Sequence, residues 1–240
     1  MTYFFDHLVF IARDKIDLFF HFFLKMGFKL SNRYEHNLGS SNHLIILEDS
    51  YLEILGWESG SLPKRQEIAN LSIGIDALVF RTEDAFLCHS DLIQRGFNPN
   101  PVQELSRPAV VDGRIEKALF RTVRFAKQPI PGLRIYFCEH CTPDFVWVEK
   151  ERVHPNQIKR LEAVHIFSAD PKPMAESLAN ILNLKYEIVG MDFSITLPNC
   201  RLNIYRDQSA DIPYISSCVL VDDASQTKIL IQKKELDEIL

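Results

Sequence analysis

What the 240-residue sequence lacks narrows its reading first. It has no disulfide framework: five cysteines, at positions 88, 138, 141, 200 and 218, are odd in number and scattered. In a chain of this length that usage points to a reducing compartment. It has no excess of basic charge; the formal net charge of −5 argues against the positive surface that a nucleic-acid partner requires. It has no apolar run fit to span a bilayer, because the Phe-rich stretch from Phe19 to Phe28 is broken by His21 and Lys25 and preceded by Asp14, Lys15 and Asp17. Asp6 sits where a secretory leader would be apolar, so the chain reads as cytoplasmic with no membrane partner. Neither a glycine-rich phosphate loop nor a Gly-x-Ser-x-Gly elbow occurs, which counts against nucleotide-dependent chemistry and serine hydrolysis.

What is present is a repeat. Asp6-His7-Leu8-Val9-Phe10 returns as Asp76-Ala77-Leu78-Val79-Phe80. In both copies an acidic residue follows at matching spacing (Asp14, Asp84), and a helical run then leads to a Gly-Phe pair, Gly27-Phe28 and Gly96-Phe97. Recurrence of this kind constrains architecture more than any single motif. Histidine in the first copy faces alanine in the second, so the copies share a scaffold and differ in chemistry.

Residues 3–11 are aromatic and β-branched and read as a strand. Strict alternation puts Tyr3, Phe5, His7, Val9 and Ile11 on one face, and Phe4, Asp6, Leu8 and Phe10 on the other. Asp14 reads as the N-cap of a helix to about Met26 that Gly27 ends. Strands follow at 28–34, 43–47 and 51–56, giving β-α-β-β-β. The second copy has its strand at 75–81, a helix at 84–95 and later strands at 115–125 and 133–140, with Asn98-Pro99-Asn100-Pro101 as loop or edge strand. A third unit spans a strand at 161–167, a helix at 170–183 and three short strands, with Glu162 and Ala163 at the Asp6 and His7 positions. A fourth is cut short after a strand at 214–221 and a helical end. The fold class is therefore α+β, with three full βαβββ modules and one truncated; residues 1–150 form the paired modules and 151–240 the third and the truncated fourth.

Three stretches resemble a known superfamily: Asp6-His7-Leu8-Val9; Gly39-Ser40-Ser41-Asn42 running on to Tyr51-Leu52-Glu53-Ile54; and Phe137-Cys138-Glu139-His140-Cys141-Thr142-Pro143, ending at Val146-Trp147. With tandem βαβββ units they look like the vicinal oxygen chelate superfamily, which includes glyoxalase I, extradiol dioxygenases, and fosfomycin and bleomycin resistance proteins. The closer likeness is to bacterial glyoxalase-like domains. Ser40-Ser41 departs from the Gly-Thr-x-Asn pattern of that likeness. The resemblance implies modules paired into curved mixed-sheet half-barrels that form a cup around a small-molecule ligand with vicinal oxygens.

It also implies a divalent ion held from the first and last strands of the modules. Carried over, those positions are His7 and Glu53; Ala77 leaves one ligand missing, and the strand ending at His140 offers another. The expected set is His7, Glu53 and His140, suited to Fe(II), Mn(II), Zn(II) or Ni(II). Glu139 or His36 would move a proton, while Asn42, His43, Tyr136, Trp57 and Trp147 would contact substrate. Plainer readings stand beside these. His7 fits a hydrogen-bonded core histidine, Glu53 a salt bridge, and the tryptophans ordinary core packing. Cys138 and Cys141 fall on opposite faces of a continuing strand, which argues against a zinc site there. The whole cup also fits a metal-free binding or drug-sequestering protein, and the oligomeric state stays open.

Overall fold

Strand β1 (Phe4–Arg13) is buried on both faces along most of its length and lies inside an eight-stranded sheet. The structure, a computed structural model, describes residues 2–35, 39–63, 66–111 and 114–239. The first module continues with helix α1 (Ile16–Lys25) and strands β2 (Tyr34–Glu35), β3 (Ser41–Ile46) and β4 (Tyr51–Gly56). After the short helix α2 (Gln66–Ala69), the second has β5 (Gly74–Arg81), α3 (Ala85–Gln94), β6 (Gln103–Val111), β7 (Arg114–Arg124) and β8 (Arg134–His140). The sheet order is β2-β3-β4-β1-β5-β8-β7-β6. β1 and β5 run antiparallel at its centre, and each is parallel to the last strand of its own module. The modules are therefore joined edge to edge, as two half-barrels of one curved wall.

The third module comprises β9 (Arg160–Ser168), α4 (Pro171–Leu182), β10 (Glu187–Val189), β11 (Asp192–Thr196) and β12 (Arg201–Arg206). The truncated fourth supplies β13 (Tyr214–Asp222), β14 (Thr227–Gln232) and helix α5 (Lys233–Asp237). They form a six-stranded sheet, β10-β11-β12-β9-β13-β14, in which β9 and β13 repeat the central antiparallel pair. The expected α+β architecture of three full modules and one truncated is borne out. One apolar core holds the sheets together, running from Phe5, Leu8 and Phe10 through Phe19, Phe23 and Leu92 to Leu161, Val164, Leu178 and Leu220. Full burial of each such side chain contributes about 1.5–3 kcal/mol.

Local details differ from the sequence reading. The strand expected at 28–34 is confined to Tyr34–Glu35. Residues 103–111 form an unexpected edge strand, where Pro108 is tolerated because an edge leaves one side unpaired. Thr227–Gln232 is a strand as well. Asp14 does not cap α1, whose N-cap is Lys15 without a side-chain bond, whereas Asp84 caps α3 by accepting the N–H groups of Phe86 and Leu87. Gly27 and Gly96 end α1 and α3 at φ of +80° and +85°, a left-handed turn that glycine adopts without strain.

The main correction concerns β1. Phe5 pairs with Phe80 and His7 with Val79, which leaves Asp6 as an extra residue, a β-bulge. The bulge shifts the phase of alternation, so Phe5 and Leu8 share the helix-facing core while Val9 and Ile11 line the opposite face. Asp6 and His7 both turn away from the helices, instead of pointing apart. The same shift leaves Asp76 unpaired in β5, Glu162 in β9 and Ser216 in β13. All four opening strands carry the bulge at the equivalent place.

Candidate functional site

The site begins at that bulge. His7 Nδ1 lies 2.7 Å from Asp6 Oδ2. A carboxylate only accepts, so Nδ1 donates, and in the neutral ring Nε2 keeps its lone pair. His140 Nε2 lies 2.9 Å from both Asp6 oxygens and donates in the same way. Asp6 is fully buried; burial pushes its carboxyl up, but the two imidazoles, His140 foremost, more than reverse this and hold it well below the usual range. Tyr51 stacks on the His7 ring at 4.3 Å between centroids, which fixes the ring plane.

From its anchored ring, His7 presents Nε2 to two groups: the Tyr136 hydroxyl, which donates at 3.2 Å, and Glu53 Oε2 at 3.6 Å. Asn42 Nδ2 donates to Glu53 Oε1 at 2.8 Å, turning the other oxygen towards His7, and Asn42 Oδ1 is buried without a hydrogen-bond partner. Register explains the convergence. Glu53 pairs with Val9 in the first module, and Tyr136 pairs with Val79 in the second. Tyr136 thus occupies the position equivalent to Glu53, while Ala77 occupies that of His7. Burial, with Glu53 nearby, raises the Tyr136 phenol well above its ordinary value and keeps it a donor at neutral pH.

These groups line a cavity that opens to solvent, with Leu44, Leu55, Leu105 and Phe120 as apolar wall. Three arginines also line it, Arg107 from β6 and Arg124 and Arg134 from β7 and β8. The sequence reading missed them. Arg124 and Arg134 fell within expected strands, whereas Arg107 sits in Leu105-x-Arg107-x-Ala109, an alternating segment for which no strand was expected. The Arg107 guanidinium lies 4.3 Å from the Tyr34 ring centroid and so bridges the edge strands β2 and β6. Arg134 is neutralised by Asp76 at 2.5 Å.

The other expected site residues are spread more widely. His140 packs among Tyr51, Phe120 and Trp147 behind the Asp6 carboxylate, and its Nδ1 is buried without a partner. Asp6, Cys138 and His140 offer donor atoms within 4.8 Å of one another, though burial drives the Cys138 thiol well above its usual value. Glu139 lies outside the cavity lining, accepting from the Ala85 N–H at 2.9 Å at the start of α3 and from Arg121 at 3.3 Å. His43 faces away as well; its ring bonds the Ser31 carbonyl and packs on Phe20, and burial lowers its pKa. Trp57 packs with Val9, Ile11 and Ile68, and Trp147 against Tyr51 and His140. His36 lies outside the described residues.

Comparison with solved structures finds the same fold in distant sequences. A hypothetical protein from Staphylococcus aureus superposes with a TM-score of 0.70 at 14% identity, covering 95% of this chain and 98% of that one. A mutant of 4-hydroxymandelate synthase from Streptomyces coelicolor gives 0.57 at 13%, covering 92% of this chain and 71% of its own. A xylose isomerase-like TIM barrel/4-hydroxyphenylpyruvate dioxygenase fusion protein gives 0.58 at 12%, with 92% of this chain matched to 37% of the fusion. No match is found among curated proteins. The family profile described as a glyoxalase-like domain matches residues 5–182. With the paired, bulged βαβββ modules already in place, this chain belongs to the glyoxalase-like domain family, on the vicinal oxygen chelate fold.

Proposed function

We propose that the cup is the active site of a metal-dependent enzyme of the glyoxalase and dioxygenase kind, acting on a small substrate with two neighbouring oxygens. His7 and Glu53 would hold a divalent ion (Fe, Mn, Zn or Ni), with the Tyr136 oxygen adjacent. The observation that carries this reading is the relay in which buried Asp6 holds His7 Nδ1–H at 2.7 Å while Nε2 looks into the cavity towards Glu53 at 3.6 Å. A carboxylate behind a histidine is the usual support for a metal-ligating imidazole. The donor set fits such an ion, because an imidazole nitrogen, a carboxylate oxygen and a phenol oxygen converge and Asn42 fixes the carboxylate. Once bound, the ion supplies Lewis acidity at the substrate oxygens.

The chain's own groups do the rest. Asp6 fixes the tautomer of His7, and Tyr51 its ring plane. Tyr136 stays protonated and donates to an oxygen placed beside it. Leu44, Leu55, Leu105 and Phe120 exclude water from around the substrate. In place of the expected role as third ligand, His140 would brace Asp6 through Nε2. Residues 1–150 would carry the site and 151–240 support it.

A metal-free binding protein is the second reading, favoured by Ala77 at the position equivalent to His7. Metal analysis after reconstitution decides between them. The enzyme reading expects near-stoichiometric metal that His7→Ala and Glu53→Gln each weaken by about tenfold or more. Absence of a stoichiometric transition metal in the parent protein contradicts it.

A further inference from the structure

Two cations in the cavity wall form no ion pair among the described residues, although the Glu53 carboxylate is near enough to favour the charged form of Arg107. Arg107 is only 5% exposed, and its guanidinium lies 4.3 Å from the Tyr34 ring centroid and 5.9 Å from that of Phe120. Its polar contacts are neutral: Nη1 donates to the Pro108 carbonyl at 3.2 Å, and the side chain bonds Tyr34. Arg124 is half-buried, lies 4.5 Å from the Tyr136 ring centroid and donates from Nε to Thr122 Oγ1 at 3.4 Å. Neither forms an ion pair within 4.0 Å with any described residue, in contrast to Arg134 on Asp76. A buried charge without a counter-ion is costly unless a ligand supplies one.

From this we infer that the cavity takes a small organic carboxylate with an apolar or aromatic body, its carboxylate received by Arg107 and Arg124. Planar guanidinium forks match carboxylate geometry. With Arg134 paired to Asp76, the described lining residues carry two guanidinium charges against the carboxylate of Glu53, which favours a monoanion over a phosphate dianion. Phe120, Leu105, Leu44 and Leu55 provide the apolar wall for the body of the ligand. Stacking on Tyr34 and Phe120 holds Arg107 in place before the ligand arrives, so little rotamer freedom is lost on binding.

This assignment rests on the cup being the ligand site and is independent of the metal. Titration calorimetry on the full chain, in EDTA and again after Zn(II) reconstitution, would use phenylacetate, its methyl ester and phenyl phosphate. In EDTA, phenylacetate is expected to bind at least about tenfold more tightly than the ester, with phenyl phosphate weaker than phenylacetate. Arg107→Met, which keeps the stacked apolar stem, and Arg124→Gln each weaken phenylacetate about tenfold or more, with thermal melts confirming that the variants fold. Arg160→Gln, which removes a surface ion pair of the second sheet, leaves binding unchanged. Equal binding of acid and ester, or retained affinity in both cavity variants, overturns the assignment. Phenylacetate binding that appears only with Zn(II) and ignores both arginines overturns it as well, while leaving the metal reading intact. Arginine-dependent binding in a protein that takes up no metal supports this assignment and removes that reading instead.

Discussion

The two sheets are built on one plan, and the proposed site lies in the first. In both, two bulged strands run antiparallel at the centre, and β1 and β9 each pair in parallel with the last strand of their module. At the position of His7 the second sheet has Ala163 and Ser217, and where Glu53 stands it has Asn203, paired with His165 as Glu53 is with Val9. Asp6, buried between two imidazoles, becomes Glu162, whose partner is the exposed Lys228. The second sheet also lacks the β7-β6 pair that lets Arg107 reach Tyr34 and close the first. A bulge that turns two consecutive side chains to one face is thus scaffold, and its residues decide whether it becomes a site.

The largest test of this contrast is the matched pair Asp6→Ala and Glu162→Ala. Removing Asp6 strands two buried histidine N–H groups, and urea unfolding is expected to lose about 3–5 kcal/mol. Removing Glu162 breaks a surface pair and costs under about 1 kcal/mol. Equal losses would break the comparison.

A smaller effect tests how the second sheet supports the first. Asn199 accepts the Phe5 N–H and donates to the Phe5 carbonyl, both at 2.8 Å, directly before the bulge. Asn199→Ala leaves both groups unpaired and is expected to cost about 2 kcal/mol in urea unfolding. No loss would show that the strand end needs no such brace.

The smallest effect reads the joint between the sheets through pH. His154 accepts from the Lys29 N–H at 3.0 Å and donates to the Ile46 carbonyl at 2.9 Å, and burial lowers its pKa. The unfolded chain therefore binds a proton more readily than the folded one. The associated stability is present above the unfolded value of about 6.5 and is lost as pH falls towards the folded value. The slope of melting temperature against pH below 6.5 is expected to flatten in His154→Gln; an unchanged slope places the titration elsewhere.

Module order and repeat were legible because 3.6-residue and two-residue apolar periods and the Gly27 and Gly96 stops are local properties. His7 and Glu53 were singled out through the resemblance, and Tyr136 by alternation along the strand that ends at His140. The bulge left a readable trace, since apolar residues run Tyr3, Phe5, then Leu8, Phe10, skipping a step at Asp6-His7. Strict alternation ignored that skip and split Asp6 from His7. The relay to His140 and the arginine pair depend on which strands become neighbours across the sheet, and β6, carrying Arg107, lies in a segment for which no strand was expected. No local pattern encodes such pairing.

Nitrogen-15 spectroscopy of the His7 imidazole during Zn(II) titration tests the central claim most directly. A proton fixed on Nδ1, with an unprotonated Nε2 whose resonance moves as zinc binds, is the predicted result. A proton on Nε2, or an Nε2 resonance that ignores the metal, would contradict it.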